Sequence, residues 1–357
     1  MKQKSKIILE KKMSKIQTIH TPGKLENIAI NGALDFWQER VGNTNTINTA
    51  SSSAYVSDMV QFNAIGPSTK NFSMVRSTDV PTQTQSGFNA PYSTLFTMIT
   101  GLPSPAAGDL IEHFLYKMEG NDYRRIHGKI ATFGFWIKAS IAGTYSFSIR
   151  NAANNRSYVT TFNVSGANSW QFQSVTVSMD SQGTWVFDNN LSMLVSIAST
   201  SGATYSTSTL NAWQSGLFVC ASSGTNFTGT SGATCRISMF SITEGSLGFG
   251  PKGFQRAGGT IQQELALCQR YYEKSYAAEV APASTGQTGD GVKLLAQTAN
   301  DFYDLGKIRF AVNKRAVPSV QTYNAQSGTS GQLYNFSVGS AQGNAGIANN
   351  SWYGFFI

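Results

Sequence analysis

The chain has 357 residues and a formal net charge of +8, with only 13% charged residues against the ~25% usual in soluble domains. Ser, Thr, Asn, Gln and Gly supply the polarity instead, giving a surface that works by hydrogen bonding more than by charge and suits subunit packing, sugar contact or a plain secreted-type β domain alike. Three cysteines are too few for a disulfide scaffold, and no run approaches the ~18 apolar residues of a membrane span.

The first 24 residues hold seven lysines against one acid, Glu10, so +6 of the net charge lies there. Such an arm can dock on an acidic surface, and Lys2, Lys4, Lys6, Lys11, Lys12 and Lys15 are the expected docking residues. The arm lacks the aromatics that stack on single strands, and the body shows no basic stripe, so nucleic acid is not an expected partner. Ile7-Ile8-Leu9, interrupted by Glu10-Lys11-Lys12, is too short for the apolar region of a signal peptide. Met13 offers a second start.

Beyond the arm, period-2 alternation predicts strands. Ala131, Phe133, Phe135 and Ile137 share one face, as do Tyr145, Phe147 and Ile149, and Leu191, Met193, Val195 and Ile197. Between Trp170-Phe172 and Val175-Val177-Met179 the apolar phase changes by one residue, which predicts a β-bulge or bend. Asp109-Leu110-Ile111-Glu112-His113 is expected to open a strand or turn with solvated acids. His20, His113 and His127 have neither metal-ligand spacing nor a nucleophile beside them, and Gly248 to Gly253 lacks the GK[ST] of a phosphate loop. No catalytic residue, metal or cofactor is expected, and calcium at one end of the sandwich has no acid cluster to name it.

Trp136, Trp170, Trp185 and Trp213 are read first as core or sheet-edge residues, since buried apolar surface stabilises by ~25 cal/mol per Å². Trp185 and Trp213, beside expected turns at Gln182-Gly183 and Gln214-Ser215-Gly216, are the candidates for an exposed platform against a sugar face. Asp180 and Asp188 flank Trp185 and invite a paired-carboxylate glycosidase reading, although a loop carrying two acids is the commoner arrangement. Cys220 and Cys235 lie on either side of a Gly/Ser/Thr/Asn-rich loop and could face each other across a hairpin.

One helix is expected at Glu264 to Lys274, with Ile261, Leu265, Cys268 and Tyr272 as its apolar stripe and Thr260 with Gln263 as a capping box. A Gly/Ser/Thr linker follows at Pro282 to Asp290. Short strands are expected at Val292 to Ala296, Lys307 to Val312, Val320 to Tyr323 and Leu333 to Val338. Pro318 restricts Val317 to extended backbone. The closing Ser351 to Ile357 is strongly apolar and should be buried in its own sheet or against a neighbouring subunit.

The run Glu264-Leu265-Ala266-Leu267-Cys268-Gln269-Arg270-Tyr271-Tyr272 after a β-rich region resembles an element of bacteriophage structural proteins, chiefly tail-fibre and related appendage proteins. Glu26 to Arg40 is similar to their "N-x-x-x-N-G-x-x-x-x-W-Q-R" opening. Tyr55-Val56-Ser57-Asp58-Met59 stands where they often carry "Y-x-x-D-x-W", with Met59 in place of the aromatic. Phe135-Trp136, Trp170-Gln171, Gly183-Thr184-Trp185, Trp213-Gln214 and Ile242-Thr243-Glu244-Gly245 match further landmarks, and Arg315 to Val320 resembles their "R-x-x-P-x-V" turn.

The resemblance implies an all-β protein: a jelly-roll β-sandwich over 26–256, a short connecting helix within 257–276 and a smaller C-terminal β unit over 277–357, behind the basic arm 1–25. It implies a non-enzymatic virion structural protein, a tail-fibre or adsorption-appendage component. Expected partners are other virion proteins, further copies of the chain (a trimer) and a host surface glycan. A capsid or head decoration and a glycan-degrading tailspike are the alternatives. Assembly in a reducing host cytoplasm makes buried free thiols the expected state of the cysteines.

Overall fold

A computed structural model describes residues 25–41, 45–286, 307–335, 339–342 and 348–356. The lysines expected to form the docking arm and the strand expected at Val292 to Ala296 lie outside these residues.

Two antiparallel sheets form the body. The first takes the order β1-β4-β5-β15-β7-β10, from β1 (Asn45–Thr49), β4 (Lys70–Ser77), β5 (Ser93–Thr100), β7 (Ile130–Ala139), β10 (Gln171–Ser178) and β15 (Thr234–Glu244). The second is β13-β9-β8-β11-β6-β3-β2, from β2 (Ser52–Ser57), β3 (Val60–Ile65), β6 (Leu110–Glu119), β8 (Gly143–Asn151), β9 (Arg156–Val164), β11 (Leu191–Ala198) and β13 (Trp213–Ser215). Neighbours in the sheets are often distant in the chain, and the fold is the expected jelly-roll β-sandwich. Two one-turn helices, α1 (Gln83–Ser86) and α2 (Gly120–Tyr123), interrupt it.

The alternating apolar residues meet between the sheets. Phe62 packs edge-on against Phe72 and Phe135 against Phe162, and Phe133 meets Phe147 at a tilt, each at 5.2 Å between ring centres. His113 joins this core, 4.5 Å from Phe96, and burial depresses its imidazole to about 3.

The acids expected to be solvated near His113 are instead buried. Asp109 pairs with Lys70 at 2.6 Å with both side chains inaccessible. Glu112 pairs with Arg150 and also accepts from Ser196 and Asn63. Burial alone would raise the Glu112 carboxyl, but the Arg150 charge and these hydrogen bonds hold it below its usual range. This polar face of the second sheet is covered by β14 (Cys220–Ala221), where Ala221 N–H donates to Ser146 Oγ; β14 pairs in parallel with β12 (Ser206–Thr207).

The phase change near Trp170 is not a bulge. The ladder between β10 and β7 runs unbroken from Gln171 to Ser178. Val175 and Val177 face the inter-sheet core, while Trp170 and Phe172 pack with Trp136 and Phe254 in a separate outer cluster. The pattern changes because a different face is covered. The local irregularity lies in β15, between Ser238 and Ser241. All three cysteines are free and buried, with burial pushing the Cys220 and Cys235 thiols up to about 12.

The expected helix is α3 (Ile261–Gln269), where Thr260 Oγ1 accepts the Gln263 N–H. Its buried face differs from the apolar stripe: Ile261 is exposed, whereas Glu264 and Cys268 are buried. Beyond it lie β16 (Lys307–Arg309), β17 (Leu333–Asn335), β18 (Ser340–Gln342), β19 (Ala348–Ser351) and β20 (Gly354–Phe356). The terminal apolar run enters a sheet, with β20 between β16 and β19, and buries Phe355, but Trp352 and Tyr353 stay exposed, against the expected burial. Val320 to Tyr323 forms no strand; Tyr323 makes one isolated bridge to Ser330.

Candidate functional site

The seam around α3 gathers residues from distant segments. Asn31 N–H donates to Glu264 Oε1 at 2.8 Å, and its side-chain amide reaches the carbonyls of Phe36 and Asp58. Gly32 is required beside it, since a Cβ there would lie 2.0 Å from the Phe240 carbonyl oxygen. Gln38 donates to both oxygens of Asp58 and to the Tyr272 carbonyl. Arg256 binds Asp35 through two nitrogens, and Arg270 binds Glu119 the same way while Tyr271 OH donates to that carboxylate.

The segment after α3 packs on this seam. Arg315 N–H donates to the Arg270 carbonyl at 3.0 Å, and Lys314 reaches the Gln269 carbonyl and the Glu273 carboxylate. Two acids pay for this arrangement in desolvation. Burial, with the nearby Asp35 charge, pushes Glu264 up to about 7, and burial pushes Asp58 up to about 6 against the hydrogen bonds from Gln38. Glu264 Oε2 has no hydrogen-bond partner, and Arg256 Nε is 3.6 Å away.

A cleft of ≈ 430 Å³ opens where the sandwich meets the C-terminal unit. Its sandwich side is the loop Val186 to Asn190, hung from α2 by Gly120 N–H to the Asn190 carbonyl and Asn121 N–H to the Asp188 carbonyl. Asn121 Nδ2 and Arg270 both donate to Asn189 Oδ1, and Arg315 donates to the Asn189 carbonyl at 2.6 Å. Asp188 is exposed, its two oxygens accepting from the backbone and side-chain nitrogens of Asn190. Arg124 donates to the Phe187 carbonyl. Phe187 is 37% exposed, and Trp352, on the turn between β19 and β20, is 51% exposed.

The sugar-platform tryptophans separate. Trp185 is only 8% exposed. It stacks on Tyr123 at 4.5 Å, meets Trp213 edge-on at 5.8 Å and donates its indole N–H to the Gln182 carbonyl. With a face covered by Tyr123 it offers no open platform. Trp213 is half-buried at the edge of the second sheet, donating to the Ser178 carbonyl. Asp180, the other flanking acid, is paired with Arg156 instead of facing Asp188 as a free partner. Among the described residues no cluster of three or more metal-ligating side chains occurs.

Sequence reasoning missed the cleft because its walls come from four separate segments, none carrying a motif for it. The Asp188-Asn189-Asn190 run was the available signal: three polar turn formers between two strands mark an exposed loop.

No family model matches the sequence, and no curated protein matches it. Solved structures to which the chain is similar include the enzymatically active domain of tailspike protein 4 of bacteriophage CBA120, at a TM-score of 0.32 and 11% identity over 61% of this chain. The match spans 21% of that tailspike chain. TmCBM61 in complex with β-1,4-galactotriose matches at 0.25 and 8% identity, over 61% of this chain and 99% of its own. A family 11 carbohydrate-binding module from Clostridium thermocellum, complexed with a mixed-linked tetrasaccharide, matches at 0.27 and 12% identity, over 58% and 98%.

Proposed function

We propose that this chain is a structural protein of a bacteriophage virion, a tail-fibre or adsorption-appendage component that works by contact and not by catalysis. The basic arm docks it on the particle, the jelly roll forms its body, and the junction with the C-terminal unit meets a host surface glycan. It assembles as a homotrimer. The resemblance of its opening segment, α3 and the Arg315 turn to appendage proteins supports this reading, since these are the segments that lock the two units together.

The observation that carries the contact role is the chemistry of the cleft. Guanidinium and amide donors stand beside two exposed aromatic rings, and Asp188, which accepts from Asn190, is the one carboxylate on its walls. Pocket sites that hold small ligands combine apolar surface with a few placed polar groups in this way, whereas hydrolysis of a glycosidic bond calls for two carboxyl groups facing one bond. Electron cryomicroscopy of the intact particle tests the assignment. The expected result is three copies at the tail with the cleft turned away from the particle. A position on the head, or absence from the particle, would contradict it.

A further inference from the structure

Resting on that contact role, we propose that the cleft between the Val186 to Asn190 loop and the C-terminal unit selects an anionic saccharide, one bearing carboxylate or phosphate. Seven of the eleven described arginines have a carboxylate within ion-pair distance. Arg124 and Arg315 have none among the described residues, and both line this cleft, one from each side of the junction.

Asp188, the one carboxylate lining the cleft, keeps its charge but makes no ion pair with either guanidinium among the described residues, its oxygens accepting from Asn190 instead. Each guanidinium is anchored through a single nitrogen to a loop carbonyl, Arg124 to Phe187 and Arg315 to Asn189. Anchoring fixes the planar fork while leaving other N–H groups for a ligand, the geometry that suits carboxylate and phosphate oxygens. The exposed rings of Phe187 and Trp352 supply apolar faces for the C–H side of a sugar ring, and the Asn121 and Asn189 amides suit hydroxyl groups. The volume of ≈ 430 Å³ falls within the ~300–1,000 Å³ of small-ligand sites.

The test measures binding by calorimetry to three probes: a uronic-acid oligosaccharide, the same oligosaccharide with its carboxyl groups reduced to alcohols, and a phosphodiester-linked glycan. The acidic form should bind at least about tenfold more tightly than its reduced form, as expected for a lost charge-assisted contact, and salt should narrow the gap. Arg124→Gln, at an exposed position, should abolish the preference with no change in melting temperature. Trp352→Ala should weaken both forms alike. Tighter binding of the phosphodiester glycan would uphold the anion site and assign phosphate as its source. Equal binding of acidic and reduced forms overturns the anion selectivity while leaving glycan contact standing. Failure of all three to bind overturns both.

Discussion

Trp185 shows why a tryptophan beside a turn is ambiguous in sequence. Both a core residue and a platform need a large ring near a chain reversal, and only the stacking on Tyr123 decides between them. Trp185→Ala should cost about 3–5 kcal/mol of stability, as large aromatic truncations in cores do, and Trp213→Ala clearly less, because its ring is already part-solvated. Urea denaturation of the two variants checks this; equal losses would mean that Trp185 is not core. Glu264 was likewise hidden: it lies outside the expected apolar stripe, but the Asn31 N–H and Arg256 draw it into the seam while Ile261 turns outward.

Glu264 also makes a pH prediction. Burial pushes its carboxyl up from 4.5 to about 7, so the folded state favours the protonated form. That contribution is complete below pH 4.5 and is lost as pH rises through about 7. It amounts to about 3 kcal/mol. Asp58 acts in the same direction over a lower window, from 3.8 to about 6. His113 opposes both, since its neutral form is favoured and its contribution is lost as pH falls from 6.5 toward about 3. Comparing Glu264→Gln with the parent isolates the first term. The parent should lose more melting temperature than the variant between pH 5 and pH 8, and parallel curves would remove Glu264 from the account.

At the scale of elements, the strands were legible because alternation has only one cause, burial of one face of a sheet. The pattern failed where both faces of a strand are covered, as in β10, whose apolar phase change reflects the outer cluster of Trp136, Trp170 and Phe172 and not a bulge. The helix was legible in position but not in rotation, since α3 is held by charge and backbone contacts as much as by apolar packing. Arg270, at its C-terminal end, links Glu119 of β6, Asn189 of the cleft loop and the backbone of Arg315. Arg270→Ala should therefore cost about 2 kcal/mol, below the figure for a fully buried pair because Arg270 retains some solvent. It should also accelerate amide exchange at Arg315 and in the Asp188 to Asn190 loop. Loss of stability without that local opening would show that the junction does not depend on this residue.

For the molecule as a whole, the junction between the sandwich and the segment after α3 was almost illegible in the sequence. Its groups lie up to 231 residues apart, from Asn121 to Trp352, and none announces the others. Sequence patterns report local periodicity and short spacing, and a cleft assembled by docking has neither. The central claim is that this junction binds without cutting. Incubating the protein with host surface polysaccharide and sizing the polymer by chromatography tests it directly. The account predicts that protein co-elutes with polymer of unchanged length. Shortening of the polymer that disappears with Asp180→Asn or Asp188→Asn would contradict it.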